Sequence, residues 1–154
     1  MASDASTPFD ELVSNELGTS LIAKRIVSFS CIDSTNTYAL EHGEEGLVVV
    51  ADQQTAGRGR LGRSWHSLPG VGIWFTVCFD GLVQGLTFAS ALAVQEVLGR
   101  RCDARIKWPN DILIDGRKVC GILVEHKNGR TALGIGLNVH QRMDDFPVEL
   151  RETA

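Results

Sequence analysis

Two tight-turn dipeptides in the second half of the chain constrain its fold more than any other feature. Asp115-Gly116 separates the apolar runs 112–114 and 118–126, and Asn128-Gly129 separates the second run from residues 131–139. Asp-Gly and Asn-Gly are favoured at the centre of two-residue β-hairpin turns, because both central residues need a positive φ. We therefore predict three consecutive antiparallel strands in this part of the chain.

The remainder of the chain predicts a mixture of strands and helices. Apolar and turn-forming residues recur at spacings typical of each element. The predicted helices cover 10–17, 37–42 and 86–100, and the further strands cover 26–32, 47–52, 70–79 and 104–107. Hairpins at one end and few helices favour an α+β class, with a mixed, largely antiparallel sheet and helices packed on one face.

Composition excludes several classes of protein. The 154 residues carry a net charge of −4, whereas a nucleic-acid-binding protein needs a basic surface. The four cysteines form no C-x-x-C pair and the four histidines form no ligand-spaced cluster, so we expect buried free thiols and no zinc site. The polar start and the lack of an apolar run of ~20 residues predict no signal peptide and no membrane span. The sequence thus predicts one cytoplasmic domain.

A glycine- and arginine-rich stretch follows the predicted strand 47–52. Residues 57–63 contain three glycines and three arginines, and Trp65 ends the stretch. Glycine lets the backbone lie close to a ligand, and the guanidinium fork binds carboxylate or phosphate with two parallel hydrogen bonds. This pattern predicts a loop that closes over a small anion. The alternative is a solvated Gly/Arg loop or a nucleic-acid-binding tail. The position of the stretch between predicted strands, and not at a terminus, disfavours this alternative.

The Gly/Arg stretch and four further motifs together resemble biotin–protein ligase. The motifs are Asp33-Ser34-Thr35-Asn36, GRGRLGRSW at 57–65, KWPNDI at 107–112, GRKVCGILVE at 116–125 and GIGLN at 134–138. The resemblance runs from about Ile26 to Val139 and implies the biotin–lipoyl ligase catalytic fold, which is similar to class II aminoacyl-tRNA synthetases. It divides the chain into an N-terminal extension at 1–25, a catalytic domain at 26–140 and a tail at 141–154.

The resemblance implies an ATP-dependent ligase. Such an enzyme activates biotin to biotinyl-5'-AMP and passes biotin to one lysine of a biotin carboxyl carrier domain. Its residues must neutralise and align two anions, the biotin carboxylate and the α-phosphate of ATP. By resemblance, Lys118 and Arg60 are the catalytic cations, and Mg²⁺ accompanies ATP.

The same resemblance assigns the other site residues. The biotin site would comprise Ser34, Thr35, Asn36, Gln54, Gly57, Arg58, Arg60, Trp74, Lys118, Gly121, Gly134 and Gly136. The ATP site would comprise Arg58, Arg60, Arg63, Trp65, Lys107, Asn110 and Asn138, with Asn138 also expected to hold Mg²⁺ and Asp111 expected near the acceptor lysine. From the residues alone, other roles stay open: a plain helix cap at 33–36, a core position for Trp74, solvated positions for Lys107 and Lys118, and a turn position for Asp111.

The chain also departs from the family pattern. Catalytic domains of the family continue past the asparagine strand, where only residues 141–154 follow here, so we expect measurable biotin binding and weak ATP binding. About 25 residues precede the first matched strand, too few for a winged-helix domain, so no DNA partner is expected; a homodimer is left open. The alternatives are a lipoate or octanoyl ligase or transferase of the same fold, and a non-catalytic biotin-binding fragment.

Overall fold

The computed structural model describes residues 18–151, which form one mixed sheet and two α-helices. The strands are β1 (Arg25–Phe29), β2 (Leu47–Ala51), β3 (Gly72–Asp80), β4 (Ala104–Lys107), β5 (Asp111–Ile114), β6 (Arg117–Lys127) and β7 (Arg130–Asn138). The helices are α1 (Thr35–His42) and α2 (Leu86–Gly99), and short 3₁₀ turns occupy Arg60–Gly62, Met143–Asp145 and Val148–Leu150. The helix expected over 10–17 lies outside the described residues.

The seven strands are ordered β1-β2-β3-β7-β6-β5-β4 across the sheet. Only β1 and β2 run parallel among these neighbours, and the other five pairs are antiparallel. The two predicted hairpin turns join β5 to β6 and β6 to β7. Their central residues have positive φ values, namely 50° at Asp115, 79° at Gly116, 53° at Asn128 and 76° at Gly129. The predicted mixed, largely antiparallel sheet is therefore confirmed.

The two helices pack on opposite faces of the sheet. Successive residues of β1 separate the two cores: Val27 packs in a cluster with Ala39 of α1, whereas Ile26 packs in a cluster with Ala91 of α2. Successive side chains of a strand point to opposite faces of the sheet, so Ile26 and Val27 lie on opposite faces. We expected both helices on one face of the sheet, whereas α1 and α2 cover opposite faces.

Helix α1 begins two residues earlier than the sequence predicts. Ser34 has extended backbone angles and accepts a hydrogen bond from the backbone N–H of Thr37 at 3.4 Å, which makes it the N-cap. The predicted cap at 33–36 is present, and the same residues begin one wall of the site described below. Among residues 18–151, no helix is long and apolar enough to cross a membrane.

The four cysteines are free, as expected, but they are not all buried. Cys78 and Cys120 are buried, Cys102 is half-buried, and Cys31, two residues beyond β1, is exposed. Burial raises the pKa of the Cys120 thiol to about 12 and also raises the pKa of Cys78. These two thiols therefore act as small neutral core side chains.

Candidate active site

Most of the predicted site residues meet in one cleft on the α1 face of the sheet. The cleft has a cavity volume of about 50 Å³, and its walls come from the start of α1, the Gly/Arg loop and the central strands β6 and β7. The predicted residues that line it are Ser34, Thr35, Asn36, Gln54, Arg58, Arg60, Trp65, Asn110, Lys118, Gly121, Gly134 and Gly136. The fold thus gathers motifs from both halves of the chain.

The Gly/Arg loop is itself a small hairpin. The Gly57 carbonyl accepts a hydrogen bond from the backbone N–H of Trp65 at 2.8 Å, and the N–H of Gly59 donates to the carbonyl of Arg63 at 2.7 Å. Leu61 turns the tip with a φ of 58° and is 90% exposed. These hydrogen bonds lie within the loop backbone. The arginine side chains are not needed for them and can extend across the cleft.

Two loop arginines have partners on the far side of the cleft. Arg58 Nη1 donates to Thr37 Oγ1 at 2.7 Å, and Arg58 Nη2 pairs with Glu125 Oε2 at 2.9 Å. Arg60 Nη1 donates to Asn110 Oδ1 at 2.8 Å. The carboxylate or phosphate of a ligand would be a stronger acceptor than the neutral oxygens of Thr37 and Asn110. The two arginines are therefore positioned to bind an anion in the cleft.

The inner end of the cleft presents neutral hydrogen-bonding groups. Gln54 Oε1 accepts from the backbone N–H of Thr35 at 2.9 Å, and Gln54 Nε2 donates to Ser67 Oγ at 2.8 Å. Thr35 and Ser67 are both buried. The amide of Gln54 is therefore held in one orientation, which suits a polar but uncharged part of a ligand.

Two residues that the sequence analysis did not single out hold Asn36 in place. Its Nδ2 donates to Glu125 Oε2 at 2.7 Å, and its Oδ1 lies 2.6 Å from Thr76 Oγ1. Glu125 belongs to β6 and Thr76 to β3, so both contacts join distant parts of the sequence. The one available signal was a charged residue at the end of the apolar run in GRKVCGILVE; nothing in the sequence marks Thr76.

A β-bulge directs Lys118 into the cleft. The pairing of β5 with β6 shifts register, because Ile112 pairs with Cys120 and Leu113 pairs with Lys118, which leaves Val119 without a partner in the register. Cys120 packs in the core on the α2 side, yet Lys118, two residues earlier, lines the cleft. Bulges re-aim side chains in this way beside active sites.

The Lys118 ammonium lies between a carboxylate and an indole ring. Its Nζ is 2.8 Å from Asp111 Oδ1 and 5.2 Å from the centre of the Trp65 ring. Within residues 18–151, the buried indole N–H of Trp65 has no hydrogen-bond partner. An oxygen-rich ligand in the cleft would meet both a cation and an unsatisfied donor at this point.

Three predicted glycines make room for side chains of the site. A Cβ atom on Gly121 or Gly136 would lie 2.7 Å or 2.5 Å from the Trp65 ring, and one on Gly134 would lie 2.4 Å from Asn36 Oδ1. The space beside these glycines, which the resemblance assigned to the biotin site, is therefore filled by Trp65 and Asn36, and these two side chains line the cleft.

A second cavity of about 450 Å³ adjoins the cleft and is lined by the remaining predicted ATP residues. The two cavities share Gly59, Arg60, Trp65, Asn110 and Lys118, and Arg63, Lys107, Asp111 and Asn138 line the second one. Lysine and arginine side chains surround this larger space, which suits a phosphate-bearing ligand.

Asn138 has the chemistry of a weak metal ligand. Its Nδ2 donates to the backbone carbonyl of Lys118 at 3.3 Å, while its buried Oδ1 has no hydrogen-bond partner in the described part of the chain. Mg²⁺ takes oxygen ligands and usually keeps several waters. Residues 18–151 contain no group of three or more His, Cys, Asp or Glu side chains that could hold a metal. Asn138 thus fits Mg²⁺ only where phosphate or water supplies the other ligands.

Two predicted biotin contacts lie behind the wall of the cleft. Trp74 is fully buried, and its indole N–H donates to the carbonyl of Asp52 at 3.1 Å. A Cβ on Gly57 would lie 2.5 Å from the carbonyl oxygen of Trp65. Neither residue lines either cavity. The core position that the sequence left open for Trp74 is the one that the structure gives it.

Comparison with known proteins agrees with this geometry. A model of the biotin/lipoate A/B protein ligase family matches residues 28–141, about three quarters of the chain. The chain belongs to this family. The matched residues include the Ser34 cap, the Gly/Arg loop and Lys118.

Individual relatives are named as ligases, and two of the following three are named biotin ligases. The bifunctional ligase/repressor BirA of Bacillus spizizenii is 42% identical over 156 residues, covering 90% of this chain and 47% of that protein. The biotin–[acetyl-CoA-carboxylase] ligase of Paracoccus denitrificans is 41% identical over 133 residues, covering 76% and 55%. The Aquifex aeolicus biotin protein ligase solved with biotin and ATP superposes with a TM-score of 0.75 at 37% identity, covering 85% of this chain and 58% of that one. The chain therefore spans about half the length of the curated relatives it matches.

Proposed function

We propose that this chain activates biotin with ATP and transfers the biotinyl group to a lysine of a biotin carboxyl carrier domain. The observation that carries the proposal is the convergence of Lys118, Arg58 and Arg60 on a cleft whose inner end is neutral. Such a cleft is matched to an acid with an uncharged polar head and a carboxylate tail. The names of the Paracoccus denitrificans and Aquifex aeolicus relatives favour biotin over lipoate as that acid.

Binding begins at the inner end of the cleft. Ser34, Thr35 and Gln54 would face the ureido ring, and the carboxylate would extend toward Lys118. Because Lys118 and Arg60 line both cavities, the carboxylate in the first cavity and the phosphates in the second would meet beside the same two cations. In this proposal the shared cations would bring two mutually repelling anions within reach of each other.

The first reaction forms an acyl-phosphate bond. A biotin carboxylate oxygen attacks the α-phosphorus, the bond from that phosphorus to the bridging oxygen breaks, and pyrophosphate leaves with the electron pair. Lys118, Arg60 and Arg63 would stabilise the negative charge on the oxygens during this exchange. The Gly/Arg loop would exclude water from the product, biotinyl-5'-AMP.

Mg²⁺ fits this scheme as a companion of the phosphates. When bound, it would neutralise phosphate charge through oxygen ligands. Asn138 would contribute its unpaired Oδ1, and Asp111 is an acidic residue that lines the same cavity.

The second reaction forms the amide. The carrier lysine attacks the acyl carbon as a free amine, the acyl–oxygen bond breaks, and AMP leaves. Asp111 lines the second cavity and is our candidate for the group that receives the amine proton. Its carboxylate lies 2.8 Å from the Lys118 ammonium, so the two side chains form an ion pair.

Transfer of radiolabelled biotin to a purified carrier domain tests the proposal. With the chain, ATP and Mg²⁺ present, label should appear on the carrier lysine and should disappear when ATP is omitted. Labelling by lipoate or octanoate instead of biotin would favour the other acids of this fold, and biotin binding without labelling would leave a non-catalytic binding fragment.

A further inference from the structure

We propose that Glu125 is a positioning residue that holds the Gly/Arg loop over the cleft by pairing with Arg58. Arg58 then fastens the first arm of the loop to the wall of the cleft, and the other loop arginines are left for the ligand. This inference rests on the proposed function for what the loop retains, biotinyl-5'-AMP. Its structural part concerns the chain alone and can be tested without a ligand.

Arg58 joins the loop to two other elements. It lies in the first arm of the loop hairpin and faces Ser64 of the second arm across a β-bridge. Its Nη1 donates to Thr37 Oγ1 of α1 at 2.7 Å, and its Nη2 pairs with Glu125 Oε2 of β6 at 2.9 Å. Because the guanidinium is planar and rigid, bonds from both of its ends fix its position relative to both elements.

Glu125 is itself held by a second contact. The oxygen that accepts from Arg58 also accepts from Asn36 Nδ2 at 2.7 Å, and Asn36 precedes Thr37 on α1. The Glu125 side chain is 30% exposed, so the carboxylate is half-buried. A carboxylate with a fixed position loses less side-chain entropy on pairing than a mobile surface carboxylate does. Glu125 is therefore a preformed anchor for Arg58.

The other ties between the loop and the walls of the cleft involve neutral groups. Arg60 at the tip donates to the amide oxygen of Asn110 at 2.8 Å, and Trp65 at the end of the second arm packs over Gly121. Arg58 is tied by an ion pair instead. Loss of that pair should therefore loosen the first arm of the loop and leave the second arm packed.

The pair also distinguishes Arg58 from the two arginines that follow it. The charge of Arg58 is compensated by Glu125, whereas in residues 18–151 neither Arg60 nor Arg63 forms an ion pair with a carboxylate. Arg60 and Arg63 thus keep their full positive charge for a phosphate-bearing ligand. Arg58 mainly positions the loop that carries them.

Hydrogen exchange of the loop amides, measured on the full chain without ligand, reports whether the loop stays on the wall. Two backbone hydrogen bonds join the arms of the hairpin, donated by the N–H groups of Trp65 and Gly59. A two-stranded hairpin this short is not stable by itself in water. Its amides should therefore exchange whenever the loop lifts from the wall.

Glu125→Gln removes the charge but keeps the shape and an acceptor oxygen for Asn36. Exchange across residues 57–65 should become at least about threefold faster in this variant, as expected for loss of a half-buried ion pair. Glu96→Gln is the matched control, because it removes the carboxylate of the ion pair with Arg100 on α2. Loop exchange in that variant should match wild type.

A double-mutant comparison shows whether Glu125 acts through Arg58. Arg58→Gln breaks the pair from the other side and should accelerate loop exchange to a similar extent, whether or not Glu125→Gln folds. In the Arg58→Gln background, Glu125→Gln should add no further change, because the partner on which it acts is gone. An additional acceleration would mean that Glu125 acts through Asn36 and would overturn the inference. Wild-type loop exchange in Arg58→Gln would overturn it as well.

Stopped-flow release of preformed biotinyl-5'-AMP gives the functional result. Glu125→Gln should release the adenylate at least about threefold faster than wild type, in step with its loop exchange. Faster loop exchange with an unchanged release rate would contradict a role for the anchor in retention. A wild-type chain that neither forms nor binds biotinyl-5'-AMP would remove the proposed function, and the exchange comparison would still decide whether Glu125 holds the loop.

Discussion

Lys118 Nζ lies 2.8 Å from Asp111 Oδ1, so the central cation of the site is paired with a carboxylate. Arg58 is likewise paired with Glu125 at 2.9 Å. These partners keep positive charge at the cleft without leaving it uncompensated. An anionic ligand must share or displace them, so its affinity reflects the difference between two sets of ionic contacts.

Replacing Lys118 with alanine should abolish adenylation and leave the fold intact. Its side chain is 33% exposed at the edge of the cleft, so its removal creates no large core cavity. Loss of one preorganised electrostatic group costs roughly 10²–10³-fold in rate. Biotinyl-5'-AMP formation should fall by at least that factor with an unchanged circular dichroism spectrum. Lys127→Ala, which removes an exposed lysine at the end of the same strand, is the matched control and should keep full activity. More than about a tenth of the wild-type rate in Lys118→Ala would remove Lys118 from its role.

Replacing Arg60 with glycine should speed the release of the adenylate more than it slows its formation. Arg60 reaches from the loop to Asn110 at 2.8 Å and lines both cavities, so it spans the point where the adenylate would lie. A charge-assisted hydrogen bond of this kind contributes about 1.5–3 kcal/mol, or roughly 10- to 150-fold in lifetime. Stopped-flow release of preformed biotinyl-5'-AMP measures the change. An unchanged release rate would mean that the loop does not retain the product.

Adding a methyl group at Gly136 should damage the site and the stability together. The new Cβ would lie 2.5 Å from the Trp65 ring, which cannot yield easily because it also packs over Gly121. Overpacking of this kind costs about 1–3 kcal/mol. Urea unfolding of Gly136→Ala should show that loss, and biotin should bind more weakly. Gly18→Ala, where nothing lies within 4 Å of the added atom, should match wild type in both measurements.

The sequence predicts the elements of this fold better than their pairing. The hairpin dipeptides at 115–116 and 128–129 lead to the three expected strands, because that signal is local. Nothing local indicates that β1 pairs in parallel with β2, or that β7 lies between β3 and β6. Those neighbours are chosen by burial of both sheet faces, which depends on the whole chain.

The same distinction holds within the site. The Gly/Arg loop and the Lys118 motif are contiguous in sequence and could be recognised there. The contacts of Glu125 and Thr76 with Asn36 could not be recognised, because the partners lie 89 and 40 positions apart in the sequence. The bulge beside Val119 was also hidden, since strict alternation would place Lys118 on the same face as Cys120.

Stability at alkaline pH should depend on Cys120. Burial raises the pKa of its thiol from 9.0 to about 12 in the folded chain. As the pH rises, the Cys120 thiol therefore ionises in the unfolded chain before it ionises in the folded chain. The contribution of this thiol to the free energy of unfolding is fully present below pH 9 and is lost as the pH rises toward 12. The slope approaches about 1.4 kcal/mol per pH unit for one such group. In denaturant titrations between pH 8 and 11, Cys120→Ala should lose less stability than wild type. Cys31→Ala, at an exposed position, should follow wild type, and parallel curves for all three chains would contradict the assignment.

Biotin-dependent exchange of radiolabelled pyrophosphate into ATP tests the central claim most directly, because it reports the reversible first reaction without any carrier domain. We predict that the 154-residue chain incorporates label only when biotin and Mg²⁺ are present and that Lys118→Ala incorporates none above background. Exchange that is absent with biotin, or that proceeds equally with lipoate, would contradict the claim that this cleft activates biotin.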